Sequence, residues 1–185
     1  SAASDVYKRQ AYTVIRTDLM SGTNQPADLV SLRFYDGEDK QAAVENGVIV
    51  KLEGYEDGER EVMKAVAASS TDDLNDCAIV AGVEVMYDER KRNLDEYINE
   101  AGQIVRGYIP RSRNMFSVTK EGFVGGTAPS AVGQEVGIGT DGKIDAAGTG
   151  LGTCVAIETA GRYTYYTIKI GKTEATAATA PGVGG

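Results

Sequence analysis

The chain has 185 residues, a mass of 19.6 kDa and a formal net charge of −8, from 19 Lys and Arg against 27 Asp and Glu. This length is enough to bury a hydrophobic core, and the acidic balance argues against free nucleic acid as a partner, because phosphate binding needs a basic face. The sequence has no His, which removes His-bearing catalytic triads and His-containing metal sites, and its apolar stretches fall far short of the ~20 residues of a membrane helix. We therefore expect neither a membrane nor a nucleic acid among its partners.

The two ends of the chain differ in composition from the middle. Residues 1–10 (SAASDVYKRQ) have neither a start methionine nor a secretory pattern, and they resemble the translated end of a transposase-type sequencing adapter. We interpret 1–10 as an artefactual extension, with a natural flexible arm as the alternative. Residues 11–28 are polar and are expected to form a flexible arm with one short strand-like piece. Residues 172–185 contain too few large side chains to offset their ordering entropy and are expected to form a disordered tail.

Between the ends, apolar residues alternate with polar ones and glycine-bearing turns recur, which is typical of short strands. The clearest hairpin joins residues 155–157 to 163–170, which are rich in β-branched and aromatic side chains. The other predicted strands, in chain order, are 12–17, 29–35, 48–53, 62–67, 78–86, 104–109, 115–119, 135–138 and 143–146. The pattern predicts an all-β fold, a small sandwich or barrel-like domain of one or two lobes with at most one short helix.

Two segments allow a coarse division of this fold. Residues 88–99 contain good helix formers and Asp88 as a candidate N-cap, and we interpret them as a charged crossover with one or two helical turns. The Gly-rich stretch 122–150 places a soft boundary near Gly125. We expect a β-rich lobe over 29–124, and over 125–171 either a second lobe or a continuation of the same domain.

Three patterns resemble functional motifs, and each has a simpler structural explanation. Residues 137–142 match GxGxxG, but no helix follows, so we predict a strand, an Asp-Gly turn and a return strand instead of a dinucleotide site. Cys77 and Cys154 have no neighbouring ligand for zinc and are expected to be buried free thiols, with a disulfide as the open alternative. The acidic residues near positions 36–39, 56–59 and 72–76 lack EF-hand spacing and are expected to be solvated turns. We therefore predict no catalytic residue, no cofactor and no metal ligand.

The order of features from residue 11 to 171 resembles that of the capsid decoration, or cement, proteins of tailed bacteriophages. The similarity rests on residues 46–50 (NGVIV), 99–108 (NEAGQIVRGY), 116–123 (FSVTKEGF) and the segment from 132–136 (VGQEV) to the turn at 141–143 (DGK). Members of that family bind the outside of the expanded capsid, often as trimers, and clamp neighbouring capsomers against the pressure of packaged DNA. The resemblance implies a virion structural protein, made in the host bacterial cytoplasm, whose partners are the major capsid protein and two further copies of itself.

Two surface segments are predicted to make these contacts. The arm, with Thr17, Asp18 and Leu19, could add a strand to a neighbouring sheet edge. The basic residues Arg90, Lys91 and Arg92 would attract an acidic shell. The alternatives are an ordinary edge strand and a solvated loop. Other functions left open are a head fibre or tail component, a β-sandwich module for carbohydrate or a host surface, and a glycosidase that uses two carboxylates in one cleft.

Overall fold

A computed structural model describes residues 11–21, 28–87 and 93–171, and these form ten strands in two sheets. The helical segments with defined bounds are three-residue 3-10 turns, such as Thr17–Leu19 and Leu94–Glu96. The predicted all-β fold is therefore confirmed. Among the described residues, no helix has the length and apolar character needed to cross a membrane.

The first sheet is a closed barrel of five strands in the order β1-β3-β2-β4-β5, and β5 pairs back onto β1. All neighbours are antiparallel except β1 and β3, which are parallel. The strands are β1 (Leu29–Phe34), β2 (Ile49–Tyr55), β3 (Val62–Ala67), β4 (Cys77–Val80) and β5 (Val105–Tyr108). Five of the predicted strands correspond to these: the bounds of β3 are as predicted, and those of the other four differ.

Strand β4 is buried at all four residues because it separates two cores. Ala78 and Val80 belong to the core inside the barrel, together with Leu32 on β1. Cys77 and Ile79 belong to a larger core that also contains residues of the second sheet. A strand buried on both faces is a continuous apolar run, as the sequence CAIV is here.

The second sheet is open and has the order β6-β10-β9-β7-β8. Its strands are β6 (Met115–Val118), β7 (Glu135–Ile138), β8 (Ile144–Asp145), β9 (Gly150–Ala160) and β10 (Tyr163–Ile170). The predicted hairpin is the antiparallel pair β9 and β10, and the predicted strand, turn and return strand at 135–146 are β7, a 3-10 turn over Thr140–Gly142, and β8. The change from barrel to open sheet falls between Tyr108 and Met115.

The two predicted strands that lose the most residues do so because side chains take over backbone hydrogen bonds. The strand predicted over 78–86 ends at Val80, since the Asn46 amide accepts from the Gly82 N–H at 2.9 Å and donates to the Gly82 carbonyl at 3.1 Å. The strand predicted over 12–17 is reduced to one bridge, Ile15 with Val118, because the Val14 N–H donates to the Thr119 hydroxyl.

Candidate functional site

The N-terminal segment carries the first predicted contact residues, and it packs on the edge of β6. Val14 and Ile15 are buried, the Arg16 N–H donates to the Ser117 carbonyl at 3.0 Å, and the Ser21 N–H donates to the Met115 carbonyl at 3.2 Å. The backbone of this part of the predicted arm is therefore already paired with a strand of its own chain. Its remaining residues, 22–27, lie outside the described part of the chain.

Thr17, Asp18 and Leu19 form an exposed 3-10 turn between these anchors. Leu19 is 54% exposed, a large fraction for an apolar side chain. The Arg16 guanidinium bonds Asp18 at 2.5 Å and lies over the Tyr165 ring, 5.5 Å from its centroid. This hydrogen bond lowers the pKa of Asp18 and raises that of Arg16. The turn thus presents a leucine beside a paired Arg and Asp.

The second predicted contact, Arg90, Lys91 and Arg92, lies outside the described residues, so that interpretation stays a prediction. On the N-terminal side of these residues, the last described residue is Tyr87, which is 93% exposed. On the other side, the Asn93 N–H donates to the Glu96 carboxylate at 3.2 Å, and a 3-10 turn over Leu94–Glu96 follows. Within the described part of the predicted crossover, residues 93–99, the helical structure is this short turn.

An exposed apolar strip, which the sequence analysis missed, follows β4. It consists of Val83, Val85 and Tyr87, together with Ile104 just before β5, and these side chains are between 48% and 93% exposed. All four line one shallow depression. The alternation of Val83 and Val85 is visible in the sequence, where it predicts part of the strand 78–86 and not an exposed surface. The exposure arises because strand β4 ends at Val80, and no other part of the described chain covers the side chains that follow Gly82.

Beneath the strip lies a buried polar group. Half-buried Glu84 hydrogen bonds Asn46, and burial raises the pKa of its carboxyl group above the ordinary value. Its Oε1 atom is buried and has no hydrogen-bond partner among the described residues. Asn46 in turn accepts from the Asn99 amide at 2.9 Å, and the Tyr97 hydroxyl donates to Asn99 at 3.0 Å. The strip therefore rests on a buried network of amides and hydroxyls at one end of the barrel.

The two thiols do not form a nucleophilic site. Cys77 and Cys154 are both free and both buried in the larger core, which leaves the open disulfide alternative unrealised in this structure. Burial raises the pKa of the Cys77 thiol to about 11. Burial also raises the pKa of Cys154, whose Sγ lies 3.6 Å from the Ala156 carbonyl. Both thiols are protonated at neutral pH, and a protonated thiol is a poor nucleophile and metal ligand.

The remaining motif residues have structural roles. In the described part of the chain, no three acidic or cysteine side chains come together as a metal-binding group. Asp36 accepts the N–H groups of Glu38 and Lys40, and Asp72 accepts that of Ser69 and pairs with Lys51 at 2.9 Å. In the GxGxxG segment, an added Cβ at Gly142 would lie 2.1 Å from the Ile49 carbonyl oxygen, so this glycine lets a turn of the second sheet pack on the barrel.

Comparison with known proteins leaves the chain without an assigned relative: no family model, no curated protein and no solved structure matches it.

Proposed function

We propose that the protein is a non-enzymatic structural protein of a bacteriophage virion. It binds the major capsid protein on the outer surface of the capsid and stabilises contacts between capsomers, as a homotrimer. The resemblance of residues 46–50, 99–108 and 116–123 to the decoration proteins supports this assignment. A clamp of this kind gains strength from many copies on a symmetric shell and needs no group that titrates near pH 7.

The observation that carries the proposal is the exposed apolar strip of Val83, Val85, Tyr87 and Ile104. Scattered exposed apolar residues are ordinary, but a contiguous group that lines one depression is typical of a protein contact surface. Tyr87 is a suitable anchor, because a tyrosine buries a large apolar ring and still offers a hydroxyl for a hydrogen bond. Arg90, Lys91 and Arg92 follow Tyr87 in the chain after Asp88 and Glu89, and they would add attraction to an acidic shell.

The Thr17–Leu19 turn supplies a second contact in this proposal. Since the backbone on either side is paired with β6, the turn engages the shell through Leu19 and its neighbours instead of adding a strand. A carbohydrate module, the rival outside the virion, would present tyrosines together as a stacking platform. Among the described tyrosines, Tyr55 and Tyr87 are largely exposed, while Tyr97, Tyr108 and Tyr165 are buried.

The proposal is tested with expanded capsids that lack decoration, assembled from the major capsid protein encoded nearest to this gene. We expect the wild-type protein to sediment with them at saturation. The double variant Val85→Ser, Tyr87→Ser should need at least tenfold more protein for half occupancy. The matched control is Tyr55→Ser, which replaces a tyrosine that is 65% exposed outside the strip. Failure of the wild-type protein to bind, or equal loss in the control, would contradict the proposal.

The other two contacts are tested in the same assay. The contact of the N-terminal segment is tested with Leu19→Ser. A deletion of the whole segment is unsuitable, because it would remove Val14 and Ile15, which belong to the core. We expect weaker occupancy from Leu19→Ser. The triple variant Arg90→Ser, Lys91→Ser, Arg92→Ser should bind more slowly at low salt and normally at moderate salt, because steering by charge is screened. Unchanged kinetics would remove these residues from the interface.

A further inference from the structure

A groove of about 950 Å³ lies where the barrel, the N-terminal segment and the β7–β8 turn meet. Such a junction is a common place for a binding site. Its apolar lining comes from Phe34 and Val66 of the barrel, Val44 and Val48 of the segment before β2, and Ile98. Tyr12 and Tyr35 add two half-buried aromatic rings. The groove can therefore accept an apolar side chain between aromatic walls.

The rim of the groove is negatively charged. Five carboxylates and two ammonium groups line it. The ammonium groups are those of Lys64 and Lys143, and the carboxylates are those of Asp36, Asp39, Glu45, Glu53 and Asp141. This acidic rim surrounds an apolar lining, so the complementary ligand carries positive charge around an apolar centre.

The chain already binds one of its own ammonium groups here. The Lys64 Nζ atom lies 5.3 Å from the centroid of the Tyr35 ring, 2.5 Å from Asp39 and 3.4 Å from Glu53. An aromatic face combined with carboxylates is a favourable environment for a cation. Lys143 is held in a similar way, 3.1 Å from Glu45 and 3.0 Å from the Glu121 carbonyl oxygen.

Two other rim carboxylates take part in no ion pair within the described part of the chain. Among the ion pairs of the described residues, none involves Asp36 or Asp141. Asp36 accepts the backbone N–H groups of Lys40 and Glu38, and these bonds lower its pKa, so it is charged at neutral pH. Asp141 is exposed at the tip of the β7–β8 turn. Each can pair with a cation brought by a partner.

We propose that this groove binds a basic segment of a partner protein, with one apolar side chain seated between Phe34, Tyr35 and Val66 and flanking Lys or Arg side chains on Asp36 and Asp141. A neutral saccharide fits less well, because it brings no positive charge for Asp36 and Asp141. The site is independent of the capsid assignment, since it shares no residue with the exposed apolar strip.

The test is an NMR titration of the ¹⁵N-labelled full chain with three probes. These are the amidated pentapeptide Arg-Lys-Leu-Lys-Arg, the same peptide with glycine in place of leucine, and cellopentaose. We expect saturable shifts at Phe34, Tyr35 and Val66 with the first peptide. The glycine peptide should bind about tenfold more weakly, because it lacks the apolar anchor. Saturable binding of cellopentaose in the groove, or no saturable shift with the first peptide, would overturn the proposal.

Two double variants separate recognition by the groove from general attraction to an acidic protein. Asp36→Asn, Asp141→Asn should weaken the first peptide about tenfold, and asparagine suits both positions because it keeps an acceptor oxygen and tolerates the positive φ of 56° at residue 141. The matched control is Asp57→Asn, Glu59→Gln, which removes two exposed charges from outside the groove lining. Equal weakening in both double variants would overturn the proposal.

Discussion

The closed barrel of β1–β5 and the open sheet of β6–β10 protect their edges in different ways. In the barrel, each strand has a neighbour on both sides, so its backbone groups are satisfied within the sheet. The open sheet depends on other segments. Val14 and Arg16 hydrogen bond along β6 at one edge, and at the other edge β8 has two residues, of which Ile144 bridges to Phe123.

The β9–β10 hairpin shows the same dependence. β9 pairs with β7 as far as Thr153, and beyond it residues 156–160 pair with β10 alone among the described strands. On the β10 side, the hairpin is fixed by side chains: the Tyr163 hydroxyl donates to Asp95 at 3.0 Å, and Arg162 donates to Asn93 at 2.6 Å. The comparison indicates that the barrel is held by its own pairing and the open sheet by the larger core beneath it.

This difference predicts that large-to-small substitutions in the larger core destabilise the protein most. Phe123 is fully buried, meets Tyr166 edge to face at 5.5 Å and bridges the edge strand. Phe123→Ala should lower the free energy of unfolding by about 3–5 kcal/mol, from lost burial and an unfilled cavity. Leu32→Ala, inside the barrel, should cost about 2–5 kcal/mol.

Urea denaturation of both variants checks whether the sheets unfold together. Because the larger core contains Ile49 and Ile79 of the barrel beside Phe116 and Ile168 of the open sheet, we expect one transition in each variant. Two transitions, with Phe123→Ala moving one of them, would show that the barrel is stable without the open sheet.

Substitution of a glycine at the contact between the two sheets should cause the next largest loss of stability. Gly142 has a φ of +69°, and an added Cβ would meet the Ile49 carbonyl oxygen at 2.1 Å. Gly142→Ala should therefore cost at least about 2 kcal/mol, from backbone strain and displacement of the turn from β2. Gly58→Ala is the control, because its φ is +82° but the space around it is open, and about 1 kcal/mol is expected. Similar thermal shifts in both variants would mean that the turn does not press on the barrel.

Substitutions in the buried hydrogen-bond network at the end of the barrel should cause a smaller loss of stability. Asn99 is fully buried, donates to the Val44 carbonyl and to Asn46, and accepts from Tyr97. Asn99→Ala should cost about 1–3 kcal/mol, since it leaves buried polar groups without partners. Tyr97→Phe removes one of these bonds and should cost about 1 kcal/mol. Chemical denaturation measures the free energy of unfolding of both variants. An unchanged value for Asn99→Ala would show that water replaces the lost hydrogen bonds.

The strand pattern of the fold could be predicted from alternation, but the closure of the barrel could not. Residues 62–67 and 135–138 carry enough β-branched residues and turn signals to fix both strand bounds. Barrel closure requires the parallel pairing of β1 with β3, and no local pattern encodes a contact between strands so far apart in the chain. The predicted strand bounds near residues 14 and 82 were wrong because side chains distant in the sequence accept the backbone N–H groups there: Thr119 accepts from Val14, and Asn46 accepts from Gly82.

The candidate site was less predictable than the fold. Thr17–Leu19 could be selected from the sequence as a polar segment, and the structure makes it an exposed turn. The apolar strip of Val83, Val85 and Tyr87 has the same alternation as a buried strand, so exposure could not be inferred from periodicity. The groove gathers Tyr12, Asp36 and Asp141 from distant parts of the chain. Its composition depends on packing between segments and is not visible in any local pattern.

The two buried thiols allow the finest comparison, because Cys77 lies on the barrel and Cys154 on the open sheet, and both face the larger core. Burial, together with the nearby carboxylates of Asp72 and Asp76, raises the pKa of Cys77 from 9.0 to about 11. Between these values the unfolded thiol loses its proton while the folded thiol keeps it. Since the folded state then binds more protons, stability must fall as the pH rises from 9 to 11, and below pH 9 the thiol adds no pH dependence.

The measurement is the difference in pH dependence between wild type and Cys77→Ala, since tyrosines also ionise in this range. We expect the free energy of unfolding of wild type to fall more steeply between pH 9 and 11 than that of Cys77→Ala. Cys154→Ala should reduce the slope less, because a backbone hydrogen bond of Ala156 partly offsets the rise in the pKa of Cys154 caused by burial. Reaction with a thiol reagent at pH 8 should be slow at both positions until the chain unfolds. Equal slopes in all three proteins would contradict the raised pKa of Cys77 in the folded state. Rapid labelling of Cys77, with slow labelling of Cys154, would mean that β4 opens to solvent more readily than β9.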